Sequence, residues 1–261
     1  MQALRLWPAA QRRQVLGVFT DIDDTLTTEG AITPDALQAL QRLKNAGLPV
    51  VAITGRPVGW SVPFASNWPV DAIVAENGAV ALVPQAGALQ RLYLQDAATR
   101  ARNLVRMQAV AARVLREVPG ARLAQDSPGR ETDIAIDHSE FAHLSNRQIH
   151  AVLAIMRAAG LNATVSSIHI NGWLGTHNKL VGAHWIVSQH FGRNLASEMD
   201  RWAYVGDSTN DQVMFEAFDN SVGVANIRRF EAELTHPPRY IATLERGAGF
   251  AEVASVLLAA R

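Results

Sequence analysis

Three carboxylates crowd the end of one apolar run. Val18 to Thr27 reads VFTDIDDTLT, with Asp21, Asp23 and Asp24 side by side or one residue apart. Carboxylates that close repel one another unless positive charge or a proton intervenes, and a cluster of oxygen ligands suits a hard divalent cation. The remaining pieces come from far along the chain. Thr54-Gly55-Arg56, Glu76-Asn77-Gly78 and Gly206-Asp207 each follow a short apolar run, and Lys179 opens a later helix. Ligands of an open parallel sheet bind in the crevice beyond the carboxyl ends of its strands. This order therefore delivers Asp, Thr, Asn and Asp to one rim that Lys179 can reach. Each piece alone has a plainer reading: Asp-x-Asp as a solvated turn, Ser208 to Asp211 as a capping box, Lys179 as a surface lysine. Their occurrence together, each at a strand end or helix start, favours a shared site.

The elements that must position these residues can be read from the same sequence. QVLGVFT (14–20) and LPVVAIT (48–54) are short apolar runs ending in polar residues, as buried parallel strands do, and DAIVAENGA (71–79) is a third. Between the first two, TPDALQALQRLKNAG has Thr33 as N-cap, Pro34 at the first helical position, Gly47 as the stop and Leu37, Leu40 and Leu43 as its apolar stripe. The rhythm changes after Pro84. A long helix is expected over 97–118, alternating strands over 131–137 and 162–170, and an amphipathic helix ending at Gly160. The strand–helix rhythm returns near Thr176. The expected fold is α/β: a Rossmann-like parallel-sheet core (1–83 and 175–261) with an inserted α+β cap domain (84–174).

Composition narrows the functional classes. Lys plus Arg and Asp plus Glu both number 24, so the basic excess usual in a general nucleic-acid binder is missing. With no cysteine, disulfides, thiol catalysis and Cys-ligated zinc are ruled out. The N-terminus lacks a long apolar segment and a clear cleavage site, and no run is long enough to span a bilayer, so a cytoplasmic protein is expected. Neither nucleic acid nor a membrane is the expected partner.

DIDDTLT, AITGR, NKLVGA and GDSTND resemble, in order and at the right kind of strand end, the four motifs of the haloacid dehalogenase superfamily of phosphohydrolases. The insertion after the third core strand resembles the cap of its sugar-phosphatase branch (Cof-like, sucrose-phosphate phosphatase and mannosyl-phosphoglycerate phosphatase types). The resemblance implies a Mg2+-dependent phosphoric monoester hydrolase that forms an aspartyl phosphate, with a small phosphorylated molecule as its partner. It implies Asp21 as nucleophile and Asp23 as general acid and base. Thr54, Gly55, Lys179 and Asn210 would bind phosphate, and Asp21, Asp23 (through its carbonyl), Asp207 and Asp211 would serve the metal. Where the family usually has Gly after the second aspartate this chain has Asp24, read as a turn residue.

Several residues carry two readings. Arg56 is either a substrate-reaching arginine or a surface residue at a helix start. Asn77 is structural or substrate-facing, and Gly78 serves backbone geometry. Arg130, His169 and Asn171 are cap residues that could overlie the site, with an outward polar position the favoured reading for His169. Two rivals share the aspartyl phosphate: a phosphomutase, and a phospho-aspartate switch of the receiver type.

Overall fold

The structure, a computed structural model, describes residues 1–85 and 87–261. In chain order its strands are β1 (Gln2–Ala3), β2 (Gly17–Thr20), β3 (Thr27–Thr28), β4 (Ala31–Ile32), β5 (Val50–Ile53), β6 (Ala72–Ala75), β7 (Val80–Gln85), β8 (Ala88–Tyr93), β9 (Arg122–Leu123), β10 (Asp133–Asp137), β11 (Asn162–Val165), β12 (His169–Trp173), β13 (Trp202–Gly206), β14 (Asn220–Gly223) and β15 (Tyr240–Ile241). Its helices are α1 (Ala9–Gln14), α2 (Pro34–Asn45), α3 (Val58–Asn67), α4 (Ala97–Glu117), α5 (Asn146–Ala158), α6 (Lys179–Phe191), α7 (Gln212–Ala217) and α8 (Arg246–Leu258).

The apolar runs form the middle of a sheet ordered β1-β15-β14-β13-β2-β5-β6-β7-β8. It is parallel from β1 to β6, and β7 and β8 close it as an antiparallel hairpin. Both faces are covered, which is why these strands read as continuous apolar runs. Val18, Val50, Ala52 and Val205 pack under Leu40, Leu43, Phe250 and Leu257 of α2 and α8. Phe19, Val51, Ile53 and Tyr204 pack under Ile186, Val187, Met214 and Phe215 of α6 and α7. The chain leaves β2 toward β5 on one side and returns as β13 on the other. That reversal opens a crevice at the carboxyl ends of β2 and β13, where ligands of such sheets bind.

The second sheet, β11-β12-β10-β9, is antiparallel. Ile134, Ile136 and Ile170 bury one face against Met107 and Val114 of α4 and Val152 and Met156 of α5. The alternate residues Asp133 and Asn171 reach the core, as described below. A two-strand flap, β3–β4, follows the aspartate cluster. Among the described residues no helix is long and apolar enough to cross a membrane.

Four local expectations change. Leu37 does not join the inward stripe of α2; it is 39% exposed, and Ala36, Ala39, Leu40 and Leu43 face inward. The small residues let α8 come close, with Gly247 facing the Ala36 side chain. The single strand expected over 162–170 is a hairpin, broken at Ser166–Ile168 between β11 and β12. The run after Pro84 contains β8, which pairs with β7 and stays in the core sheet. Helix α3, with Pro63 inside it, was not anticipated; Trp60, Phe64 and the C-cap Trp68 pack as tilted rings at 4.3 and 4.7 Å between ring centres.

Candidate active site

Asp21 and Asp207 are the first residues beyond neighbouring strands β2 and β13, and the register sets Thr20 opposite Val205. The Asp21 amide donates to the Val205 carbonyl at 2.9 Å, which fixes the two strand ends together. Carboxylate oxygens of Asp21, Asp207 and Asp211 lie within 4.8 Å of one another, all three residues buried. Lys179 is the first residue of α6, held there by the Asn178 side chain, which accepts from the Val181 amide at 2.9 Å. Its Nζ donates to Asp21 Oδ1 and to Asp211 Oδ1, each at 2.7 Å, and the residue is only 2% exposed. Close approach of two glycines makes this reach possible. Gly78 has φ +109°, and a Cβ there would strike the Asn178 carbonyl, while a Cβ on Gly182 of α6 would meet Gly78 Cα at 2.6 Å.

Asp211 does two jobs. Its Oδ2 accepts from the amides of Asp207 (2.9 Å) and Ser208 (3.1 Å), the capping box read from the sequence, while Oδ1 holds Lys179 and the Tyr204 hydroxyl. Burial pushes the Asp21 carboxyl up to about 7; Lys179 opposes the rise and Asp211 and Asp23 add to it. Burial, then the charges of Asp21 and Asp211, holds Asp207 well above the carboxylate range. Burial disfavours the Lys179 ammonium too, but Asp21 and Asp211 outweigh it and hold its pKa above the usual value. One ammonium thus balances three buried carboxylates. An all-oxygen set short of positive charge is suited to a hard divalent cation.

The side chain of Asp23 lies outside this trio. Arg56 grips it, Nε at 3.1 and 3.0 Å from its two oxygens and Nη2 at 3.0 Å. The same guanidinium reaches Glu140 Oε1 at 2.9 Å and Asp126 Oδ2 at 3.2 Å, and lies 4.9 Å over Trp60. Arg56 is therefore buried, not a surface arginine. Asp24 has φ 55°, the left-handed conformation that favours glycine, and pairs with Arg246 at 3.0 Å. Thr54 is buried, and its Oγ1 accepts from the Arg56 amide at 3.0 Å.

Gly55 is where the two sheets meet. Its carbonyl accepts from Arg130 Nη1 at 2.9 Å and Asn171 Nδ2 at 3.3 Å. Arg130 also holds Asp133 at 2.8 Å and Asp126 at 3.1 Å, and burial pushes the Asp133 carboxyl up to about 7 against the opposing charge of Arg130. His169 departs from the outward position favoured for it. It is 2% exposed, its Nε2 lying 2.9 Å from Glu140 Oε2. Asn77 is buried at φ 55°, and its Nδ2 has no partner among the described residues. Asn210 is buried and accepts from Ser208 Oγ at 2.9 Å. Asp21, Asp23, Arg56, Asn171 and Asn210 line a narrow cleft of about 10 Å³, roofed by the Ser166–His169 tip.

Sequence reasoning missed five members. Asn226 Nδ2 donates to Asp207 Oδ2 (3.1 Å) and to the Asp24 carbonyl (3.0 Å), and its only signal was an Asn just beyond the end of β14. Glu76 is fully buried and accepts from the amides of Val58, Glu131 and Thr132, so it ties the second sheet to the core. Tyr204, Asp126 and Glu140 had no sequence signal beyond residue type.

Residues 18–102 match the family model of the haloacid dehalogenase-like hydrolases. No curated protein matches the chain. Among solved structures, the chain is similar to Thermoplasma acidophilum 0175 (TM-score 0.71, 14% identity, covering 94% of this chain and 98% of that one). It is similar to a HAD/COF-like hydrolase from Plasmodium vivax (TM-score 0.70, 16% identity, 97% and 99% covered). It is also similar to the sucrose-phosphatase of Synechocystis sp., solved with sucrose and phosphate (TM-score 0.66, 16% identity, 94% and 98% covered). At these identities the likenesses show the fold of the chain.

Proposed function

We propose that this protein is a haloacid dehalogenase-like, magnesium-dependent phosphatase acting on a small phosphorylated metabolite, a sugar phosphate or phosphorylated glycoside, through an aspartyl phosphate. The observation that carries the reading is the buried Lys179 ammonium shared between Asp21 and Asp211, with Asp207 alongside. Asp21 attacks phosphorus, and the leaving oxygen departs on the far side. Asp23 gives that oxygen a proton and then takes one from the water that splits the aspartyl phosphate. Lys179, the Thr54 hydroxyl, the Gly55 amide and Asn210 bind phosphoryl oxygens, where negative charge gathers in the transition state. Asp21, Asp207 and Asp211, with the Asp23 carbonyl, are the oxygen donors for magnesium. When bound, the cation offsets the repulsion between Asp21 and the phosphoryl dianion.

We assign the sheet β9–β12 with α4 and α5, within the expected 84–174 cap, the role of a lid. Its contacts at Gly55 and Arg56 are polar and few, as suits a surface that opens for substrate and closes against water. The test is a screen of phosphorylated metabolites with magnesium, reading released phosphate. Turnover of sugar monophosphates that vanishes in chelator supports the reading. Interconversion of sugar phosphates without phosphate release, or a lasting phospho-aspartate without turnover, contradicts it.

A further inference from the structure

We propose that a pocket between α4 and the start of β10 binds a small neutral molecule, apolar over most of its surface and ending in an oxygen that accepts a hydrogen bond, and that Arg130 carries its occupancy to the Gly55 loop. The pocket has about 250 Å³ and shares no lining residue with the cleft over Asp21. It exists because β9 covers β10 only at Ile136 and Asp137, which leaves Asp133 and Ile134 without a strand neighbour on that side. One face of α4 supplies the opposite wall. Leu104 and Leu115 stand at its two ends, and Ala111 and Ala112 between them are too small to close the gap. An apolar cavity of roughly 150 Å³ holds a benzene ring. The space here suits a ring with a short polar substituent.

Apolar walls with a few placed polar groups are what small-molecule sites are made of. Leu115 and Leu123, large apolar residues left 39% and 42% exposed, stand together at the mouth. Two polar atoms of the lining residues have no partner among the described residues. They are Nε of Arg130, a residue only 8% exposed, and Oγ of Ser127. A buried donor left unsatisfied is destabilising, and a ligand oxygen that accepts from Nε removes that penalty. If that oxygen is a hydroxyl it also pairs with Ser127 Oγ, which can both donate and accept.

Charge selects a neutral ligand. Arg130 already faces two carboxylates, Asp133 at 2.8 Å and Asp126 at 3.1 Å, so an anionic ligand meets repulsion as well as a donor. An ammonium is a donor only and cannot satisfy Nε. Arg130 itself links the pocket to the catalytic loop. Its Nη1 donates to the Gly55 carbonyl at 2.9 Å, and the next two residues, Glu131 and Thr132, donate their amides to Glu76 of the core. An acceptor on Nε fixes the guanidinium in the orientation that makes the Gly55 bond. Ligand binding and contact of the second sheet with the core therefore favour each other, whatever reaction the aspartate cluster performs.

The test is a fluorine NMR titration of the full chain with para-fluorobenzyl alcohol, para-fluorotoluene and para-fluorobenzoate. The alcohol is expected to bind saturably with a Kd of about 1 mM or below, and the other two about tenfold more weakly or worse. Ser127→Ala removes a hydroxyl that has no partner, so the fold should stand, and it is expected to shrink the advantage of the alcohol over the toluene several-fold. Ala112→Trp fills the pocket from an exposed position and is expected to weaken alcohol binding by about tenfold or more. Saturating alcohol is expected to slow exchange of the Glu131 and Thr132 amides several-fold in the wild type and not in Ala112→Trp. No saturable binding, equal binding of the toluene, or binding untouched by Ala112→Trp overturns the site. Tighter binding of the benzoate overturns the ligand class, and exchange that does not slow overturns the link through Arg130.

Discussion

Asp21→Asn should make the protein inactive and more stable. Asp21 is buried, and its carboxyl is pushed up to about 7 from an ordinary 3.8, burial being the main cause. A carboxyl raised on folding contributes stability below its unfolded pKa and loses it as pH climbs through the folded value. The wild type therefore weakens between about pH 4 and pH 7 on account of this group. Three pKa units at about 1.4 kcal/mol each set the ionisation penalty at about 4 kcal/mol above pH 7. Asparagine has nearly the same shape and no charge, and Lys179 keeps Asp211 as its partner at 2.7 Å. In chelator at pH 7.5 we expect Asp21→Asn to exceed the wild type by about 2–4 kcal/mol in urea unfolding, with the difference vanishing near pH 4. Magnesium should close part of the gap by stabilising the wild type more. A variant less stable than wild type at pH 7.5, or a difference that does not change with pH, would refute the electrostatic reasoning.

Other perturbations test neighbouring parts of the account. Lys179→Met strands Asp21 and Asp211 without their ammonium; we expect a loss of about 3–5 kcal/mol in chelator, partly recovered by magnesium, from the same unfolding curves. Arg56→Lys cannot reproduce the fork that holds Asp23, Asp126 and Glu140 together. It should raise amide exchange in the second sheet and lower kcat/KM by about tenfold or more, and unchanged exchange would remove Arg56 as the link between the sheets. Burial lowers His177 to about 4, so its contribution is present above pH 6.5 and lost as pH falls toward 4. That amounts to about 3 kcal/mol at most, and His177→Gln should flatten the acid limb of the stability profile.

The parallel core was legible because its signals are local. Buried strands are continuous apolar runs, and Thr33-Pro34 and Gly47 mark the ends of α2, although the Thr33 hydroxyl makes no cap bond. The rim residues were legible because strand ends are fixed by register: Asp21 and Asp207 had to be neighbours once β2 and β13 paired. Partners chosen by tertiary packing left no such trace. Nothing near Glu140 says that Arg56, 84 positions earlier, will hold it. His169 looked like an outward residue on an alternating strand because alternation does not say which face a second layer will cover. Leu37 looked apolar and therefore inward, but the approach of α8 selected the alanines.

The central claim is that Asp21 carries the phosphoryl group during turnover. Rapid acid quenching of the enzyme with a radiolabelled phosphate monoester, followed by peptide mapping, tests it most directly. The label should sit on the peptide containing Asp21, disappear on chase with unlabelled substrate, and be absent from Asp21→Asn. Label on another residue, or near-wild-type turnover by Asp21→Asn, would contradict the account.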